Sequence, residues 1–275
     1  MALHAAARRV AMKFRHVPPR QGVRWVVDGL RVFMRKPLAF CVLFLIYLLI
    51  GPMVMLAVSP LATVGFMIAT RQALAGRFPF PGVFIEPLQA SRAQRWAQVK
   101  LGLAYAVAVA LVLWISDSVG GAAFEALREA VREGRTDPQE LEPILDDSSL
   151  QSGWLLAALG MALVAIPFWH APALVHWGGH GAAQSLFFSV VACWRNKGAL
   201  LVYSLGWGAV ILVFAFVSTT VFALLGVPQL AVLFFMPAVL MLSSAFYASL
   251  YFTFADSFEP TAEPAVAEAA SRETS

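Results

Sequence analysis

Pro37 to Thr70 reads PLAFCVLFLIYLLIGPMVMLAVSPLATVGFMIAT, about 34 residues without one Asp, Glu, Lys or Arg. As one straight helix it would extend roughly 50 Å, whereas the hydrocarbon core of a bilayer is only about 30 Å thick. A single crossing would leave much of that apolar surface in water. Gly51-Pro52 supplies a break in the middle, because proline removes a helical hydrogen bond. The run therefore predicts two helices folded into a hairpin.

The same reasoning extends to Gly198–Ala255, about 58 uncharged residues, nearly three times what one crossing needs. Gly226-Val227-Pro228 divides that stretch in two. Two further apolar blocks, Trp96 to Ile115 and Ser152 to Val175, are each one span long and bounded by charge or by Pro and Gly. The chain as a whole is 60% hydrophobic and 13% charged, against roughly 45–50% and 25% in soluble domains. That balance excludes an ordinary soluble protein, and two cysteines, Cys41 and Cys193, exclude a disulfide framework. The expected fold is an all-α polytopic membrane helix bundle, with about six transmembrane helices and an N-terminal interfacial amphipathic helix. Residues 1–36 would form a cytoplasmic basic arm and that helix, 37–255 the six-span membrane domain, and 256–275 a disordered cytoplasmic tail.

Charge placement tests the count, because Lys and Arg concentrate in loops that stay cytoplasmic. Nine of the 20 basic residues precede the first span, and Arg71, Arg77, Arg92, Arg95 and Lys100 lie between the second and third. The loop 117–151 carries nine acidic residues and only Arg128, Arg132 and Arg135, the composition expected outside. Arg195 and Lys197 return the chain to the inner side, so both termini are expected in the cytoplasm. The net charge of +4 then reports orientation, and nucleic acid is not an expected partner.

Gly22 to Lys36 places Arg24, Asp28, Arg31 and Arg35 on one helical face, with Val23, Val26, Val27, Leu30, Phe33 and Met34 largely on the other. The expectation is a helix whose apolar side lies among acyl chains. Arg24, Arg31, Arg35 and Lys36, with Arg195 and Lys197, are the residues expected to meet anionic lipid, each cation contributing about 1 kcal/mol near the surface. In the acidic loop, Ala122 to Glu133 reads as a short solvated helix ended by Gly134. The tail from Ser257 lacks apolar periodicity and should be flexible.

Catalytic chemistry is scarce. The span midplanes hold no ionisable group, and their polar residues are hydroxyls such as Ser59, Thr63, Ser204, Ser218, Thr219, Thr220, Ser243 and Ser244, which the i−4 carbonyl or a neighbouring helix can satisfy. His176 and His180 stand four apart, a zinc-compatible spacing on a helix, but Gly178 and Gly179 between them disfavour helix and no third donor is near in sequence. His170 precedes them, and surface or interfacial roles are expected for all three. No nucleophile elbow, H-E-x-x-H or phosphate loop occurs, so neither an enzyme, a metal nor a cofactor is expected. A shift of 160 residues aligns Phe33-Met34-Arg35-Lys36 with Cys193-Trp194-Arg195-Asn196, each closing an amphipathic segment before an uncharged hairpin. This would be a parallel repeat, with the third and fourth spans inserted.

Several stretches resemble a family of functionally uncharacterised multi-pass inner-membrane proteins of proteobacteria, chiefly β-proteobacteria. They are Val17-Pro18-Pro19-Arg20-Gln21-Gly22 with Trp25, Arg35-Lys36-Pro37, Gly65-Phe66 with Arg71, Phe84-Ile85-Glu86-Pro87, Ala171-Pro172-Ala173-Leu174-Val175, Ser189 with Arg195-Asn196, and Tyr251 with Asp256 and Phe258. A fainter similarity runs to the membrane domain found beside glycerophosphodiester phosphodiesterases, without that enzyme's catalytic domain. The resemblance implies a bacterial inner-membrane location and a multi-pass topology, and no catalytic residue. It also implies a start near Met12-Lys13, making residues 1–11 an upstream extension. Two functions remain open: a non-enzymatic scaffold or accessory subunit engaging membrane lipids and other membrane proteins, or a permease or channel for a neutral or amphiphilic solute. A mid-bilayer cavity lined by Ser218, Thr219, Ser243 and Ser244 would favour transport, and a dry Leu, Val and Phe interior the scaffold.

Overall fold

Proline placement sets the first hairpin: helix α2 (Pro37–Leu49) is followed by α3, which begins at Pro52 and runs to Leu74. A computed structural model of the chain describes residues 11–49, 52–135, 137–227 and 229–261. Before the hairpin come strand β1 (Ala11–Phe14) and helix α1 (Gln21–Arg35). After it come α4 (Arg92–Arg132), α5 (Pro138–Leu145), α6 (Ser148–Phe168), α7 (Ala171–Gly178) and α8 (Ala182–Arg195). The second hairpin, α9 (Lys197–Leu224) and α10 (Gln229–Ser257), leads into strand β2 (Phe258–Thr261).

Among the described residues four helices are long and apolar enough to cross a membrane: α4, α6 running on through α7, α9 and the Leu233–Ser257 part of α10. A fifth arises if α1 and α2, bent by 99° at Lys36, count as one span. At 13 residues α2 alone reaches only about 20 Å. The element order of the proposed repeat recurs, an amphipathic helix (α1, α8) before an uncharged hairpin (α2–α3, α9–α10), although α2 is less than half as long as α9.

The core is aromatic. Phe66 and Tyr247 rings stand 4.8 Å apart, Trp207 and Phe246 5.7 Å, and Trp25 and Tyr203 6.0 Å. Helix α1 differs from its expected setting. Its apolar side is docked on protein, with Trp25, Val32 and Phe33 at 0–3% exposure, and only its cationic side and a few apolar residues such as Val23 and Met34 remain open. The cause is steric. Gly22 and Gly29 have no Cβ, and one added there would collide with the Ala199 carbonyl on α9 and with Ser249 on α10. Close approach of the backbones gains more buried contact than lipid could offer.

One further expectation changes. The tail is not flexible from Ser257: β2 pairs antiparallel with β1, Ala11 opposite Thr261 and Phe14 opposite Phe258, and Phe258 is buried against Phe14 and Phe254. Backbone pairing with the N-terminal arm supplies the order that a lone tail could not. Residues 1–10 and 262–275 lie outside the described residues, so most of the proposed upstream extension and the remainder of the tail do too. In the acidic loop, α4 is broken by a kink at Gly121, φ 40° and ψ −123°, and the part that follows to Arg132 is the short helix expected over Ala122 to Glu133. Gly134, at φ 69°, ends the segment as expected, and Asp137 and Asp147 cap α5 and α6.

Candidate functional site

The Arg15–Val17 arm, the end of α10, the α8–α9 corner and the end of α6 meet in one polar seam. Asn196, buried between α8 and α9, accepts from the Val17 N–H at 2.9 Å and donates to the Arg15 carbonyl at 3.2 Å and the Ser257 hydroxyl at 3.1 Å. One oxygen of Asp256 accepts from the Gln21 amide at 2.8 Å and from the Trp25 indole at 2.7 Å. Ser189 on α8 accepts from the His170 N–H and donates to the Ile166 carbonyl, which holds the α6–α7 turn onto α8. Of these, Val17, Gln21, Trp25, Ser189, Asn196 and Asp256 belong to the stretches that carry the family resemblance, and the fold places them in one seam. The same holds for Gly65 and Phe84, whose ring occupies the space a Cβ on Gly65 would need. The shared pattern thus reads as a clamp on the fold.

The histidines do not converge. Helix α7 ends at Gly178, and Gly179 adopts φ 66°, so His176 and His180 do not share a helical face. His176 faces Glu86 at 3.8 Å, His180 meets the Phe188 ring edge-on, and the His170 ring lies buried against Phe258. Among the described residues no group of three His, Cys, Asp or Glu side chains is placed to hold a metal ion. Sequence reasoning missed Gln94 and Gln98. Gln94 donates to the Val175 and His176 carbonyls and Gln98 to that of Pro172, joining α4 to α7. The Ser91-x-x-Gln94 capping box at the start of α4 was legible, but not the reach of the glutamine across to α7.

Of the six cations expected at lipid, Arg24, Arg31, Arg35, Arg195 and Lys197 are exposed, and Lys36 is half-buried at the bend. Arg31 pairs with Asp28 at 3.2 Å, and the Lys197 ammonium lies 4.7 Å from the Trp194 ring centroid. Cys193 beside them is buried, its Sγ 3.6 Å from the Ile166 carbonyl, and burial pushes its thiol up to about 12.

Most hydroxyls in the spans bond locally. Thr63 donates to the Ser59 carbonyl, Ser244 to that of Leu240 and Thr219 to that of Ala215. A cavity of about 130 Å³ lies between α3, α4, α6 and α10, where Ser59, Thr63, Tyr105 and Tyr247 give it a partly polar wall. A larger cleft of about 690 Å³ opens between α6, α8 and α9 and is almost wholly apolar, with Lys197 and Trp194 at one end.

A probable inner membrane protein of Burkholderia thailandensis is 33% identical over 263 residues, an alignment that takes in 90% of this chain and 94% of that protein. Neither a family model nor a solved structure matches the chain.

Proposed function

Because the chain belongs to the family of that Burkholderia inner-membrane protein, we propose that it acts as a non-enzymatic scaffold or accessory subunit of the bacterial inner membrane. Its exposed cations engage anionic lipids and partner membrane proteins. The observation that carries this reading is α1. Its apolar face is locked onto α9 and α10, so Arg24, Arg31 and Arg35 are held out on a rigid support. Ordering such a surface in advance lowers the entropy lost when a ligand docks.

The proposed topology has six crossings and both termini in the cytoplasm. Pairing of β1 with β2 supports an even number, since it holds Ala11–Phe14 beside Phe258–Thr261. Six crossings take the 13-residue α2 and the 23-residue α3 as the first two spans, ahead of the four helices that are long and apolar enough to cross. The excess of Lys and Arg before the first span and between the second and third supports the inward side. Reporter fusions at Gly134 and Gly82 test it: outside activity is expected at Gly134 only, and an outside signal at Gly82 overturns the arrangement.

Function is tested by crosslinking pulldown of the native protein with lipid analysis, beside a variant carrying Arg24→Glu, Arg31→Glu and Arg35→Glu. These side chains are exposed, so the variant is expected to fold and to lose captured partners and anionic lipid. Unchanged capture overturns the reading. The 130 Å³ cavity with Ser59, Thr63 and Tyr105 in its wall favours a second reading, passage of a small neutral solute. Flux of such a solute into liposomes, abolished by Thr63→Phe, would replace the scaffold reading with it.

A further inference from the structure

The cleft between α6, α8 and α9 has a shape and a charge that no feature of the fold uses. On α6, Ala162, Ala165 and Ile166 occupy one face, and on α9, Leu201 and Ser204 face them across the gap. Residues three and four apart share a helical face, and the lining runs from Ala162 on α6 to its C-cap Trp169 and from Lys197 to Ser204 along α9, so each wall is about two turns long, roughly 10 Å. The space is therefore a slot lying along the helices, and its volume of about 690 Å³ falls in the range of roughly 300–1,000 Å³ typical of sites for small amphiphiles. The alanines make it. A larger side chain at either position would close the gap between the helices.

One end of the slot is basic. Among the described residues Lys197 is its only charged lining residue and no acidic side chain lines the cleft, while Arg195 beside it is exposed. The N-terminal arm brings more positive charge to the same corner. Asn196 holds the Arg15 carbonyl and the Val17 N–H, and Pro19 packs beside Gly198, while the Arg15 and Arg20 side chains are exposed. Because Asn196 is committed to these partners, it does not cap the first turn of α9. Trp194, at 72% exposure, places an amphipathic ring at this end, the kind of side chain favoured at the headgroup level of a bilayer.

We propose that this cleft is a binding site for an anionic phospholipid, with one acyl chain in the slot between α6 and α9 and the phosphate headgroup against Lys197 and Arg195. The complementarity is specific in two respects: an apolar trough takes the chain, and Lys197, with no carboxylate among the described residues that line the cleft, takes the negative head. Bulk lipid contacts every outward face of the bundle. This site differs in combining a recess with charge, so it should keep its lipid when the surrounding bilayer is removed. The inference rests on the reading of the protein as a lipid-engaging scaffold and assigns that engagement to a place distinct from the exposed face of α1.

The test reconstitutes the full chain in an equimolar mixture of phosphatidylglycerol and phosphatidylcholine, extracts it into mild detergent, and counts retained lipids by native mass spectrometry. The wild type should retain phosphatidylglycerol over phosphatidylcholine by about fivefold or more, the factor that about 1 kcal/mol from one headgroup-facing cation supplies. Lys197→Glu should bring the ratio near one. Ala162→Phe, which fills the slot from α6, should reduce retained lipid several-fold. Ser204→Phe fills it from α9, so a folding defect in one variant, seen as loss of its melting transition, leaves the other to decide. Equal retention of the two lipids by the wild type, or undiminished retention in the folded slot-filling variants, overturns the proposal. Partner capture through Arg24, Arg31 and Arg35 is read separately, by the crosslinking pulldown of the native protein. Its persistence beside lost lipid selectivity sinks the cleft alone, and its loss beside intact selectivity sinks the scaffold reading alone.

Discussion

Replacing Asn196 with leucine should release the Arg15–Val17 arm and the end of α10 at once. The side chain is 2% exposed and makes three hydrogen bonds, to the Val17 N–H, the Arg15 carbonyl and the Ser257 hydroxyl. Leucine has the same branched shape and number of heavy atoms, although its methyl groups are bulkier, and every one of these bonds is lost. A net contribution of about 1 kcal/mol per bond gives about 3 kcal/mol, with more to come because Val17 and Ser257 are themselves buried and their polar groups would be left unpaired. Divided by 1.4 kcal/mol per decade, this corresponds to roughly a hundredfold rise in local opening. The assay is hydrogen–deuterium exchange in detergent micelles, followed on peptides that cover Val17 and the paired strands β1 and β2. Ser257→Ala removes one bond of the three and should accelerate exchange only about fivefold. The rest of α9 and α10 should keep its protection, because their burial does not pass through this residue. Exchange at Val17 and β2 that rises less than threefold in Asn196→Leu would refute the view that this side chain clamps the arm to the end of α10.

Other outcomes follow from the same geometry. Because burial raises the Cys193 thiol from its ordinary value of 9.0 to about 12, very little thiolate exists in the folded protein near pH 8. In a Cys41→Ser background, maleimide should label it only after denaturation, and comparable native and denatured labelling rates would contradict its placement. Asp147 is held below the usual carboxylate range by hydrogen bonds from the Ser149 side chain and backbone and from the Leu150 N–H. A depressed folded-state value means that its support for the start of α6 is complete above the unfolded carboxylate range and fades as pH falls through the folded one. Amide exchange of Ser149 and Leu150, corrected for intrinsic rate, should therefore increase at acid pH in the wild type and be pH-independent in Asp147→Asn. Gly22→Leu would drive a side chain into the Ala199 carbonyl and the Tyr203 backbone, costing about 1–3 kcal/mol or more in overpacking. A thermal melt unchanged from wild type would show that α1 does not pack as closely as described.

Hairpin positions were legible because glycine and proline act locally. Gly51-Pro52 and Gly226-Val227-Pro228 mark the two uncharged turns, and Gly134 ends its helix in the left-handed conformation expected of it. The amphipathic character of α1 was equally readable, since it depends only on spacing. What covers its apolar side was not, because lipid and protein are both apolar and the pattern is the same for either. Gly22 and Gly29 were the available signal: small residues on the buried face of a helix permit a neighbouring backbone to approach. The order at the start of the tail was hidden for a related reason. Phe258–Thr261 has no periodicity of its own and gains order only from a strand nearly 250 residues earlier.

Length of uncharged sequence, the position of its breaks and the distribution of Lys and Arg determined by themselves that this chain is a helical membrane protein folded back on itself, because transfer of apolar surface and of charge is settled residue by residue. Only the tertiary structure decided that Asn196 and Asp256 tie the Arg15–Val17 arm and α1 to the end of α10, that His176 and His180 point apart, and that α6 and α9 leave an apolar slot beside Lys197. Each of these depends on how close two distant backbones come. That distance is set by the side chains at the crossing, and no local pattern carries it.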